Sequence, residues 1–217
     1  MRNLLLALAI STAAAMGQAD PGRTVQIHYS NPQMIPGQWT LELHPDGSAH
    51  FTTTRGNAPR ERDSEIEPPN LNQDVQLSPA FAKRVFQVAE RKRLFRKECE
   101  SHLNVAFQGT KTLSYTGPDG QGSCAFNYSK DIDIQSLSDS LVSVATTLIE
   151  GARLEALLRH DPLGLDRETD ALMQMAADGR VQQIGSIRGI LEQLAGDDDV
   201  LERVRKRARE LLSQGND

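Results

Sequence analysis

Cys99–Ser129 reads CESHLNVAFQGTKTLSYTGPDGQGSCAFNYS and holds both cysteines of the chain. Leu103, Val105 and Phe107 alternate with polar residues, as do Leu113 and Tyr115, and then Cys124, Phe126 and Tyr128. Strict alternation predicts strands with one buried face. The breaks fall at Gln108-Gly109-Thr110 and Pro118-Asp119-Gly120-Gln121, both of turn composition. Pairing Gly117 with Gly122 sets Tyr115 opposite Cys124 and Leu113 opposite Phe126. Pairing Phe107 with Lys111 sets Val105 opposite Leu113 and Leu103 opposite Tyr115. Every apolar residue of this three-stranded meander then shares one face. Cys99 lies an even number of residues before Leu103 and starts on that face, so a Cys99–Cys124 bridge is allowed if the segment before Leu103 curls back over the sheet.

The N-terminus decides whether that bridge forms. The chain opens MRNLLLALAISTAAAMGQA: a charged Arg2, an apolar run Leu4–Ile10 and a small–x–small site at Gly17-Gln18-Ala19. This reads as a secretory signal peptide over residues 1–19, cut after Ala19; the competing reading is a buried N-terminal helix. No later apolar run has the length of a membrane span. Two thiols in an oxidising compartment pair, and a loop of this span adds about 3 kcal/mol in the chain-entropy model. About 200 residues follow the leader, enough for one domain or two small ones. The formal net charge is −5 and only 5% of residues are aromatic, so nucleic acid and anionic membrane are poor partners.

The rest of the chain extends the pattern in both directions. Thr24–Ser30 alternates Val25, Ile27 and Tyr29 with His28 and reads as a strand. Trp39–Thr54 reads as a hairpin around Pro45-Asp46-Gly47, with Leu43 opposite Ala49, Leu41 opposite Phe51, Trp39 opposite Thr53 and Glu42 opposite His50. Arg55–Gln76 is charged and rich in proline; it reads as a long exposed loop, either a binding element or a tolerated insertion. Ser78-Pro79 is a helix start, and the apolar stripe Phe81, Val85, Val88, Ala89 carries that helix to about Leu94. Ile134–Arg159 is helical, but its apolar direction swings by roughly 130° at Gly151. The first half should pack on the sheet and the second on three short C-terminal helices. The expected fold is therefore α+β, an antiparallel sheet packed by two helices over residues 20–150, followed by a small α-helical subdomain over 151–217.

The alternation around Trp39-Thr40-Leu41-Glu42 and Pro45-Asp46-Gly47, then Ser78–Phe95, then Leu103–Tyr128, resembles small secreted bacterial families of unknown function with a hairpin–helix–meander–helix layout. The C-terminal tail resembles one or two degenerate helical-solenoid repeats of the HEAT kind, units that stack rather than stand alone. The first resemblance implies a bacterial source, in which the Asn127-Tyr128-Ser129 sequon carries no glycan. Neither resemblance supplies catalytic residues.

Strong catalytic motifs are absent: no HExxH, CxxC, P-loop, GxSxG or EF-hand spacing occurs. The best constellation is the polar side of the N-terminal strands. His28, His44 and His50 point away from the apolar faces there, with Glu42 opposite His50. Imidazoles and a carboxylate on one surface suit a zinc or copper ion; the competing reading is a solvated face with three unrelated histidines and no cofactor. A second cluster is His102 with Glu98, Glu100 and Ser101 beside Cys99, which works as a Cys–His site only if Cys99 is unbridged. His160 suits a helix C-terminus, and Asp197–Asp199 a helix start. The expectation is a periplasmic or secreted, non-catalytic module that binds a protein or small ligand through the 55–76 loop and the polar sheet face. The alternatives are a metal-dependent hydrolase on the histidine face and a protease-inhibitor-like protein presenting Asn57–Pro69.

Overall fold

A computed structural model describes residues 22–57, 67 and 69–215. The leader read at 1–19 and most of the 57–69 loop lie outside them. The fold is α+β. Six strands form one antiparallel sheet: β1 (Thr24–Ser30), β2 (Gln38–Leu43), β3 (Ser48–Thr54), β4 (Asn72–Gln76), β5 (Thr110–Gly117) and β6 (Gly120–Phe126), in the order β4-β3-β2-β1-β5-β6. The helices are α1 (Pro79–Arg91), α2 (Ile132–His160), α3 (Leu165–Ala177), α4 (Arg188–Gly196) and α5 (Glu202–Gln214). None among the described residues is long and apolar enough to cross a membrane.

The β2–β3 hairpin has the expected register, with Leu43↔Ala49, Leu41↔Phe51, Trp39↔Thr53 and Glu42↔His50. The meander differs in three ways. First, β5 and β6 turn through two residues, Pro118-Asp119, with Gly120 at φ 134°. Pro at the first central position and Gly directly after the second suit such a turn, and the positive φ falls on Gly120. The register shifts by two, which preserves the faces but sets Leu113 opposite Cys124 and Lys111 opposite Phe126. Lys111 is thereby buried, its Nζ donating to the Asn127 carbonyl at 2.8 Å, and burial pushes its ammonium pKa down.

Second, Leu103–Phe107 is not a strand. The edge of β5 that it would have used is taken by β1, which matches Val25 to Tyr115 and Ile27 to Leu113 over seven pairs. Third, the last five residues of the expected 55–76 loop form β4, an edge strand paired to β3. Its inward positions are Gln73 and Val75, so alternation offered a single apolar residue to read.

Ser78 caps α1 as expected, its Oγ accepting from the Phe81 N–H, but the helix stops at Arg91 rather than Leu94. Arg93, Leu94 and Phe95 follow with φ of 56°, 58° and 61°, a left-handed turn built without glycine. Left-handed backbone costs L-residues roughly 1–2 kcal/mol each. Burial of Leu94 and Phe95 offsets that cost, and glycines make the room: a Cβ on Gly122 would lie 2.1 Å from the Leu94 carbonyl oxygen.

α2 begins two residues earlier than its apolar stripe because Asp131 caps it, accepting from the Asp133 and Ile134 N–H groups. Asp131 also takes Lys92 Nζ at 2.8 Å and Lys97. Partial burial opposes its ionisation, but the hydrogen bonds from Lys92 and Lys97 outweigh this and hold the carboxyl well below the usual range. A depressed carboxyl contributes stability that is present above its ordinary titration range and lost as pH falls below it. Asp131→Ala is expected to cost about 1–2 kcal/mol at pH 7, and the deficit against wild type in urea titrations should shrink by pH 3.

α1 and α2 cover the apolar face of the sheet, and α2 runs unbroken through Gly151. Its first half buries Leu137, Leu141, Val144 and Leu148; its second half buries Leu154 and Leu157 against the tail. At Gly151 a Cβ would lie 2.4 Å from Ile187 Cγ2, so the glycine admits the Ile184–Ile187 turn that leads into α4. One cluster of buried residues is continuous from the sheet to Leu211 of α5.

Candidate functional site

The helices lie on one face of the sheet and leave the other open. Two cross-strand rows define the open face. One is Ser123–Ser114–Gln26–Glu42–His50–Asp74; the next is Ala125–Thr112–His28–Thr40–Thr52–Asn72. It is a hydroxyl- and amide-rich surface without aromatic rings in these rows. The sequence candidates His28, Glu42, His44 and His50 all lie here, but each histidine has its own partner. His28 Nδ1 is 3.0 Å from Thr40 Oγ1, His44 Nε2 is 3.8 Å from Glu42 Oε1, and His50 Nδ1 is 2.7 Å from Asp74 Oδ1. Among the described residues no three His, Cys, Asp or Glu side chains meet as a metal-binding group. His44, His50 and Asp74 line a shallow groove of about 510 Å³ at the β3–β4 edge. Asp74 was missed in the sequence because β4 was.

Cys99 and Cys124 are bridged, with Cα atoms 5.7 Å apart, so the Cys–His reading has no nucleophile. His102 instead pairs with Glu98 at 2.6 Å on the surface. His160 ends α2 as read, while Asp197 Oδ1 accepts from the Asp199 N–H in a turn ahead of α5, which starts only at Glu202.

The second surface is one end of the sheet. The tight turns at His44–Gly47 and Pro118-Asp119 lie at the other end. The long connections 31–37, 101–109 and 127–131 gather here, together with the described ends of the connection between β3 and β4. The 101–109 segment is not loose. Glu100 organises its start: Oε2 accepts from the Asn127 N–H at 2.7 Å, and Oε1 from the Ser101 N–H at 2.7 Å. These backbone N–H groups, Asn127 first, hold the Glu100 carboxyl below its ordinary range. Asn127 then clamps the other end, its Oδ1 accepting from Gln108 N–H and its Nδ2 donating to the Ala106 carbonyl. Tyr29, stacked on Trp39, donates its hydroxyl to the Gln108 carbonyl.

This scaffold displays apolar side chains outward. Phe107 is 59% exposed, Leu103 49% and Val105 40%. Met34, Tyr128 and Ile132, also exposed, belong to the same end, and of the large hydrophobic residues exposed among those described only Leu163 and Leu201 lie elsewhere. The alternation that predicted a buried strand therefore marks a presented edge. The sequence offered Glu100 only beside His102 and Asn127 only in a sequon; their role in holding this segment was hidden because it runs through backbone groups 27 and 19–21 residues away.

No family model matches the chain, and no curated protein matches it either.

Proposed function

We propose that the protein is a non-catalytic binding module of an oxidising compartment, periplasmic or extracellular, that engages a partner protein through the loop end of its sheet. The observation that carries this reading is the concentration of exposed apolar side chains there: Leu103, Val105 and Phe107 on a segment fixed by Glu100 and Asn127, beside Met34, Tyr128 and Ile132. Large apolar side chains gathered on a rigid surface mark interaction sites, whereas single ones are ordinary. A pre-ordered segment also loses little entropy on docking. The disulfide and the leader-like N-terminus support export.

The metal-dependent hydrolase reading would need imidazoles that meet, and His28, His44 and His50 are held in separate pairs. The inhibitor-like reading rests on 57–69, where the described residues give only the neck of the loop: Arg55 Nε and Nη2 donate to the two carboxylate oxygens of Glu67 at 2.7 and 2.9 Å.

The test is a pull-down from the native secretome with residues 20–217 as bait, beside Val105→Ser/Phe107→Ser. Both side chains are exposed, so the variant is expected to melt within about 0.5 kcal/mol of wild type while its captured partner falls at least tenfold. Equal capture by both proteins would count against the proposal.

A further inference from the structure

A buried ionisable cluster with no part in that surface lies where α2 meets α3. Glu150 is 8% exposed and Glu168 7%. Two buried carboxyl groups that face one cation leave a negative charge unpaired if both ionise, which favours a proton on one of them. Arg153, one turn along α2, is the cation they share: its Nη1 is 3.2 Å from Glu168 Oε1 and 3.6 Å from Glu150 Oε2. Glu150 Oε2 and Arg153 Nε have no hydrogen-bond partner among the described residues. The Ile184–Ile187 turn, also packed on α2, meets this stretch at Gly151 through the apolar Ile187. With one proton the cluster is neutral. Without it, two negative charges share one guanidinium in a site nearly closed to water, an arrangement with a large desolvation cost.

We propose that Glu150 and Glu168 form a proton-operated latch that holds α3, and with it the helical tail, against α2. The latch is closed while the pair keeps its proton and is weakened when the proton leaves. Burial, reinforced by Glu168 and opposed by Arg153, pushes the Glu150 carboxyl up to about 7. A carboxyl raised in the folded state contributes stability that is complete below its unfolded range, near 4.5, and is lost as pH rises through the folded value. The operating window therefore runs from mildly acidic to mildly basic medium. The latch is distinct from the partner surface and stands whether or not that surface binds a protein.

The experiment is amide hydrogen exchange of residues 20–217 at pH 5.5 and pH 8.0, corrected for the intrinsic pH dependence of exchange. Peptides from α3 are expected to open on the order of tenfold more at pH 8.0, while those from β1, β2 and β5 hold. Glu150→Gln keeps the shape of the side chain and loses the ionisation, so its α3 protection should be the same at both pH values. Glu168→Gln should behave likewise and serves as the second variant should the first fold poorly. The Gln variants separate this pair from every other group in the protein. Loosening of α3 that persists in both variants, or no loosening in wild type, would overturn the latch.

Discussion

Phe95→Ala is expected to lower the unfolding free energy by about 3–5 kcal/mol, the cost of truncating a fully buried phenylalanine. The position carries more than core volume. Arg93, Leu94 and Phe95 occupy the left-handed region, where three residues together cost several kcal/mol, roughly 1–2 each. What holds them there is burial: Phe95 is 0% exposed and Leu94 9%, and the turn packs against β5 and β6. The Leu94 carbonyl rests on Gly122, and Arg96 donates from Nε to the Gln121 carbonyl at 2.7 Å. Removing the Phe95 ring removes about half of the apolar burial that offsets the strain, so exchange protection should fall first at 93–97. Gly122→Ala tests the same contact from the sheet side. Its Cβ would lie 2.1 Å from a backbone oxygen, so turn or strand must move, at about 1–3 kcal/mol. A Gly122→Ala protein as stable as wild type would mean that the turn does not depend on its seat in β6.

Reduction of Cys99–Cys124, or the double variant Cys99→Ser/Cys124→Ser, is expected to cost about 3 kcal/mol. The bridge spans 25 residues, and in the chain-entropy model closing a loop of that length in the unfolded chain is worth this amount. For a chain of this size the melting temperature should fall by roughly 10 °C. Both sulfurs lie on the buried face, with Cys99 4% and Cys124 7% exposed, so the bridge acts as a staple between β6 and the segment that leads into Glu100. Thermal melts with and without reductant, with thiol titration to confirm reduction, are the check. Full reduction with an unchanged melt would contradict this role. The loss should also reach the loop end, because residues 101–108 are hung from Glu100 immediately beyond Cys99.

Where local pattern and tertiary demand agreed, the chain was legible residue by residue. The register of β2 and β3 follows from Pro45-Asp46-Gly47 and one apolar face, and the start of α1 from Ser78-Pro79. It misled where two segments competed for one edge. Alternation in Leu103–Phe107 says that its apolar residues share a side; it does not say that the side is covered, and β1 fits β5 over a longer register. β4 was hidden because Val75 is the only apolar residue it turns inward. The left-handed turn carries no glycine or asparagine of its own, and the residues that make room for it, Gly120 and Gly122, lie more than 20 positions later. The histidines were placed on the right face, yet distances across a sheet are not written in alternation, so their separate pairings with Thr40, Glu42 and Asp74 were not legible. Glu150 carries a signal in the sequence. The swing of the buried face at Gly151 implies a short stretch of α2 covered on most sides, and an acid within it has no open side to take.

The proposed function requires the loop end of the sheet to be the surface that meets a partner. A photo-activatable side chain placed at Phe107, which is 59% exposed, measures this most directly, with the same group at Thr112 on the open polar face as the comparison. Irradiation of the protein in its native medium should give one discrete heterologous adduct from position 107 and none from 112. An adduct from 112 alone, or from neither position, would contradict the assignment.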